Sequence, residues 1–160
     1  MKKILLATSA ILLSATLAQA KTTTVKVGSG NIEVGNLSES ATMIGAEFVQ
    51  SEKSKLALLF ELDGYFAEDV TTTYFGLGGK YKINDNINLK ATAGISGVSF
   101  DTDDSGNTDL QGFVYGLGAT YTFAKKHNII LDYKTGTVSD ETGLVDVDVT
   151  YTSLSYGYSF

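Results

Sequence analysis

Leu154-Ser155-Tyr156-Gly157-Tyr158-Ser159-Phe160 closes the chain, with an apolar or aromatic residue at nearly every second position and Phe at the last. A period of two marks an extended strand with two unlike faces, not a helix. Chain ends of water-soluble domains fray unless something holds them. An aromatic strand that runs to the final residue therefore calls for an apolar medium against its outer face, and a lipid bilayer supplies one.

The same local pattern recurs upstream: apolar, Gly, small or aromatic, polar, aromatic. It reads Ile44-Gly45-Ala46-Glu47-Phe48, Leu77-Gly78-Gly79-Lys80-Tyr81 and Leu117-Gly118-Ala119-Thr120-Tyr121, and Tyr156-Gly157-Tyr158-Ser159-Phe160 is the fourth copy. The copies begin at 44, 77, 117 and 156, so they are spaced by 33, 40 and 39 residues. Each of the first three is followed by a short polar turn and a second alternating segment. One copy thus marks one hairpin, and four copies predict eight strands. They are expected near 23–34, 41–50, 55–66, 71–83, 87–100, 109–123, 128–138 and 145–160.

Most strands have a clean apolar phase. Leu56, Leu58, Phe60 and Leu62 share one face of the third, and Phe75, Leu77, Tyr81 and Ile83 one face of the fourth. Ile87, Leu89, Ala91, Ala93 and Ile95 do so in the fifth, Phe113 through Phe123 at odd positions in the sixth, and Ile129, Leu131 and Tyr133 in the seventh. Two strands change phase midway. Val25 and Val27 disagree with Ile32 and Val34, and Val145 through Tyr151 disagree with Tyr156, Tyr158 and Phe160. A β-bulge at Gly28/Gly30 and another near Thr152-Ser153 would reconcile them. Aromatic residues gather near both strand ends: Phe48, Tyr81, Phe123, Tyr158 and Phe160 at one, Tyr65, Phe66, Phe75, Phe100 and Phe113 at the other. Two interfacial girdles would look like this.

Opposite the apolar face lie Glu47, Glu61, Asp63, Lys80, Lys90, Asp132 and Lys134. In a sandwich they would face water. In an eight-stranded barrel they face a lumen just wide enough for side chains to fill, where they must pair. Gly45, Gly76, Gly78, Gly94, Gly116 and Gly118 share that phase and leave room for long side chains. A filled lumen argues against a solute pore.

Composition narrows the classes further. The chain has 160 residues and no Cys, Pro or Trp, which excludes disulfides and thiolate sites and suits unbroken strand ladders. Every basic residue is Lys, and the formal net charge is −6, or −8 once Lys2 and Lys3 are removed with a leader. Such a chain is a poor binder of nucleic acid. Lys2 and Lys3, the apolar stretch 4–13 and Ala18-Gln19-Ala20 together read as a secretory signal peptide over residues 1–20, leaving a single domain over 21–160. The apolar stretch is too short and too broken by Thr8 and Ser9 to span a bilayer as a helix. No later run is long enough, so a membrane crossing would have to be a closed barrel.

The terminal strand, the four motif copies and the leader resemble those of small bacterial outer-membrane β-barrel proteins, the OmpA-like transmembrane barrels and opacity-type surface antigens. The resemblance covers essentially all of 21–160. It implies an all-β, eight-stranded, antiparallel up-and-down transmembrane barrel in the outer membrane. It also implies both chain ends and the turns 51–55, 84–86 and 124–127 on the periplasmic side. The connections 35–40, 67–70, 101–108 and 139–144 would face outward as short acidic loops. Implied partners are outer-membrane lipid, lipopolysaccharide and the barrel-assembly machinery, which in this class reads the terminal residue, here Phe160. The implied protein is a monomer without nucleic-acid partners or catalysis, acting in envelope integrity or at the cell surface. Competing readings are a minimal porin-like channel or adhesive surface receptor, and a soluble periplasmic barrel that binds a ligand.

Chemical signals are sparse, and no catalytic, cofactor-binding or metal residue is assigned. His127 is the only His; it sits beside two Lys in a tight turn and reads as a solvated turn residue. Small barrels that act on lipid A need a His–Ser constellation near the outer rim, and His127 is expected at the other end. The spacing Asp101, Asp103, Ser105, Gly106, Asp109 is similar to a calcium loop, but Gly112 stands where the bidentate Glu belongs. That segment reads as a solvated acidic hairpin. Gly76/Gly78 and Gly116/Gly118 lie inside strands and are not dinucleotide fingerprints.

Overall fold

The computed structural model describes residues 20–50, 55–100, 108–140 and 143–160. The leader reading, apart from Ala20, and the calcium-loop spacing, apart from Asp109, lie outside the described residues. Eight strands are present: β1 (Thr22–Val34), β2 (Leu37–Val49), β3 (Leu56–Phe66), β4 (Val70–Lys82), β5 (Ile87–Phe100), β6 (Thr108–Phe123), β7 (His127–Ser139) and β8 (Asp146–Ser159). Each pairs antiparallel with its sequence neighbour, and β8 pairs with β1 to close the barrel. Closure leaves no unpaired sheet edge, which a strand in lipid could not tolerate.

The register fixes the barrel's shape. Following partners across the ladders from Val25 leads through Ala46, Leu62, Phe75, Ile95, Phe113, Thr137 and Asp148. The circuit rejoins β1 at Gly35, whose amide donates to the Asp148 carbonyl at 2.9 Å. It has climbed from 25 to 35, a shear of ten residues (35 − 25), and strands staggered in this way tilt by about 40°.

Along every strand but β3, whose outward face stays apolar to Phe66, the polarity of the two faces inverts at one height. In the half nearer Thr22 and Phe160, hereafter the near end, the outward face is apolar. Leu117 is 66% exposed, Phe113 62% and Leu131 58%. On β6 this face runs from Phe113 to Phe123. Ten steps of about 3.3 Å at that tilt span roughly 25 Å, the height of the apolar band on outer-membrane barrels. Toward the far end the outward face turns polar: Ser29, Asn31 and Glu33 on β1, Thr71 and Thr73 on β4, Thr150 and Asp148 on β8. The inward face there becomes apolar, and Ile32, Val34, Met43, Val98, Val114, Val138 and Val149 pack into one buried cluster. The far half is built like a water-soluble barrel, and the near half is its reverse.

This inversion corrects several expectations. The ladders of β1 with β2 and β8, and of β8 with β7, run without interruption, so no bulge exists at Gly28/Gly30 or Thr152-Ser153. The apolar residues change phase because the strand leaves lipid, not because it slips. Tyr65 and Phe100 do not join the outer girdle: Tyr65 is buried in the lumen, and Phe100 packs against the apolar cluster. The β1–β2 connection is not a loop over 35–40 but the two-residue turn Gly35-Asn36, with Gly35 at φ 58°.

The β6–β7 turn holds Ala124 and Lys125 at φ 47° and 69°. That region costs a residue with a Cβ about 1–2 kcal/mol and costs glycine little. Ala124→Gly is therefore expected to raise stability by about 0.5–1 kcal/mol, read as a later urea midpoint for the barrel folded in lipid vesicles.

Candidate functional site: a charged plug in the lumen

The four motif glycines, Gly45, Gly78, Gly118 and Gly157, all point inward in the near half. Gly45 stands between Lys26 on β1 and Asp63 on β3, as cross-strand partner of both. Gly118 stands likewise between Lys90 on β5 and Asp132 on β7. A Cβ on Gly118 would collide with Asp132 Oδ1 and approach Lys90 Cε to 2.5 Å. A Cβ on Gly45 would collide with Asp63 Oδ1 and approach Lys26 Cε to 2.9 Å. Two of the four motif glycines, Gly45 and Gly118, thus clear the space through which charged side chains reach the barrel axis. Either Gly→Ala change is expected to destabilise the barrel by about 1–3 kcal/mol, measured by urea unfolding.

Eight ionisable side chains meet there. Lys26 Nζ lies 2.5 Å from Glu61 Oε1, 2.9 Å from Asp63 Oδ1 and 3.2 Å from Asp132 Oδ2. Lys90 Nζ lies 2.5 Å from both Glu47 Oε1 and Glu61 Oε1, and 2.7 Å from Asp132 Oδ1. Lys134 Nζ lies 2.8 Å from Asp63 Oδ2, and Lys80 Nζ 2.9 Å from Glu47 Oε2. Four ammonium groups (Lys26, Lys80, Lys90, Lys134) face four carboxylates (Glu47, Glu61, Asp63, Asp132), and the sum is zero. All are buried except Lys80, whose side chain is 14% exposed.

The pairing runs across the lumen and not along the sheet. Glu47 and Glu61 are direct cross-strand neighbours, and so are Lys80 and Lys90. Like charges side by side on a sheet repel, and each pair is offset by the other, which reaches it through the lumen from the neighbouring stretch of wall, Glu47/Glu61 on β2 and β3 and Lys80/Lys90 on β4 and β5. The Glu47, Glu61 and Asp132 oxygens also lie close enough together to suggest a metal ion, but the Lys90 ammonium already occupies the centre of that trio.

A layer of tyrosines covers the plug toward the far end. Tyr74 donates to Thr92 Oγ1 at 2.9 Å, and Lys134 Nζ lies 5.1 Å from the centre of the Tyr74 ring. Tyr151 shares a 2.9 Å hydrogen bond with Ser96 and stacks on Tyr65 at 5.3 Å. From the near end the lumen therefore runs from a polar mouth to the plug, then the tyrosines, then the apolar cluster.

The structure brings together all seven charged residues expected in the lumen and adds Lys26. The signal for Lys26 was an arithmetic one: four acids had been matched with only three lysines. His127 is not a free turn residue. Its Nδ1 meets the Tyr156 hydroxyl at 2.5 Å, and its ring packs on Phe123 and Tyr158, on the outer surface near Phe160. Among the described residues, every lysine lies in the plug or at the near end. The far end carries Glu33, Glu68, Asp69, Asp109, Asp146 and Asp148 without a lysine.

A closed eight-stranded barrel with an apolar belt and a polar filling is the architecture of small outer-membrane β-barrels, and solved structures of that class match it. Ail, the attachment invasion locus protein of Yersinia pestis, determined with the heparin analogue sucrose octasulfate, aligns with TM-score 0.66 at 14% identity, over 87% of this chain and 98% of Ail. Neisserial surface protein A aligns with TM-score 0.59 at 13% identity, over 87% and 96% of the two chains. The outer-membrane enzyme PagL aligns with TM-score 0.56 at 17% identity, over 86% and 98%. At these identities the likeness is one of fold. No protein-family model matches the sequence, and no curated protein does.

Proposed function

We propose that this chain is a non-catalytic integral protein of the bacterial outer membrane, set with its near end in the periplasm and acting structurally in the envelope. The carrying observation is the plug. Eight ionisable side chains pair through the lumen at 2.5–2.9 Å, which supports a closed barrel over a porin-like channel. The inverted polarity supports lipid around the near half over a soluble periplasmic barrel. A soluble carrier would keep its apolar face inside, for the ligand.

PagL shows that this fold can carry an enzyme. The non-catalytic reading is supported by His127, which is the chain's only His. It lies at the near end, hydrogen-bonded to the Tyr156 hydroxyl and packed against Phe123 and Tyr158. The acidic far end also departs from what a polysulfate ligand such as that bound by Ail would need. An NMR titration of the folded protein with sucrose octasulfate is expected to leave the far-end residues Glu33, Asp109 and Asp148 unshifted. The partners in this reading are outer-membrane lipid and lipopolysaccharide around a monomer, and the assembly machinery at Phe160. Phe160 is held by its amide on the Thr23 carbonyl at 2.9 Å and is 69% exposed.

Gel migration of outer-membrane fractions with and without boiling tests the reading. The unboiled protein is expected in the membrane fraction and to run ahead of the boiled form. A protein that dissolves without detergent would refute it.

A further inference from the structure

The near-end mouth of the barrel is a cavity of about 360 Å³ open to solvent. Its wall carries Lys55, Lys80, Lys82 and Lys125, with Asp85 as the sole acid among the described residues, and hydroxyl and amide groups that include Thr122 and Asn128. The chain as a whole is acidic, with a formal charge of −6, so a mouth carrying four ammonium groups against one carboxylate runs against its composition.

Two of the four lysines are already engaged. Lys80 reaches down to Glu47 at 2.9 Å. Lys82 binds Asp85 at 2.8 Å, and this hydrogen bond holds the Asp85 carboxyl below its usual range. Lys55 and Lys125 have no carboxylate within ion-pairing distance among the described residues. Below them the plug is charge-balanced, so it offers neither ammonium group a counter-charge.

The geometry points to an oxyanion site in this mouth, taking a phosphate monoester presented from the periplasmic side. Two ammonium groups without a carboxylate partner among the described residues match a dianion, and phosphate offers three strong acceptor oxygens. Lys82 can add a third contact, since its partner Asp85 is itself exposed. The hydroxyl and amide groups between the lysines suit the remaining oxygens or a polar stem. Two sources share this chemistry: free phosphate compounds and the headgroup of a phosphomonoester lipid.

The test is an NMR titration of the full folded chain in phosphatidylcholine nanodiscs. One arm adds inorganic phosphate; the other includes phosphatidic acid in the disc. Saturable shifts are expected at Lys55, Lys82, Lys125 and Asn128 in at least one arm, and the arm that responds names the source. Lys55→Gln/Lys125→Gln is expected to weaken binding by about tenfold or more, whereas Lys126→Gln, outside the cavity, leaves it unchanged. The inference is overturned if neither arm saturates, if chloride at equal ionic strength gives the same shifts, or if the double variant titrates like the parent.

Discussion

Lys26→Met should be among the most damaging single changes this chain can carry, lowering the stability of the folded barrel by about 3–5 kcal/mol. The side chain is fully buried, and its ammonium lies within ion-pairing distance of all four plug carboxylates. Removing it leaves four acids against three lysines in a site that water does not reach. Methionine matches its volume closely, so packing loss contributes little and the cost is electrostatic. The change Lys26→Met/Asp63→Asn restores neutrality and should recover at least half of the loss. Urea unfolding in lipid vesicles, followed by tyrosine fluorescence, measures both. If the single variant is as stable as the parent, the plug does not hold ionised pairs.

The second large effect tests where lipid ends. Leu117 points outward near the middle of the apolar band, and Leu117→Lys is expected to cost about 2–4 kcal/mol. Thr73 also points outward but lies beyond Phe75, where the face has turned polar. Thr73→Lys should change stability by no more than about 0.5 kcal/mol. A barrel surrounded by lipid over its whole height would penalise both. A barrel in water would tolerate both.

Strand number and order were legible because one motif repeats once per hairpin and its glycine always faces the lumen. The outward belt was legible because one apolar phase runs through the near portions of β3 to β7 before the inversion. The reading faltered where a strand crosses from one medium to another. β1 carries Val25 and Val27 outward in lipid and Ile32 and Val34 inward above it, so a rule that assumes one apolar face from end to end reads a bulge into a regular ladder. The same assumption hid Lys26, whose inward phase was masked by that apparent slip, and it placed Tyr65 and Phe100 on the wrong side of the wall.

The pairing within the plug was not legible at all. Adjacent strands bring like charges together at Glu47/Glu61 and Lys80/Lys90, and the partners come from strands two or more places away around the barrel. Cross-strand rules describe neighbours in a sheet, whereas contacts across a lumen depend on shear and on which glycines open the way. Function was legible as an address and an architecture. The plug carries the proposal that the lumen is closed, and the lysine-lined mouth carries the proposal of an oxyanion site.

Single-channel recording on the refolded protein in planar bilayers tests the central claim most directly, that paired charges seal the lumen. The parent chain is predicted to insert without conductance steps. Reproducible unit steps that persist across preparations, with ion selectivity altered by Lys26→Met, would show an open path through the plug and contradict the account.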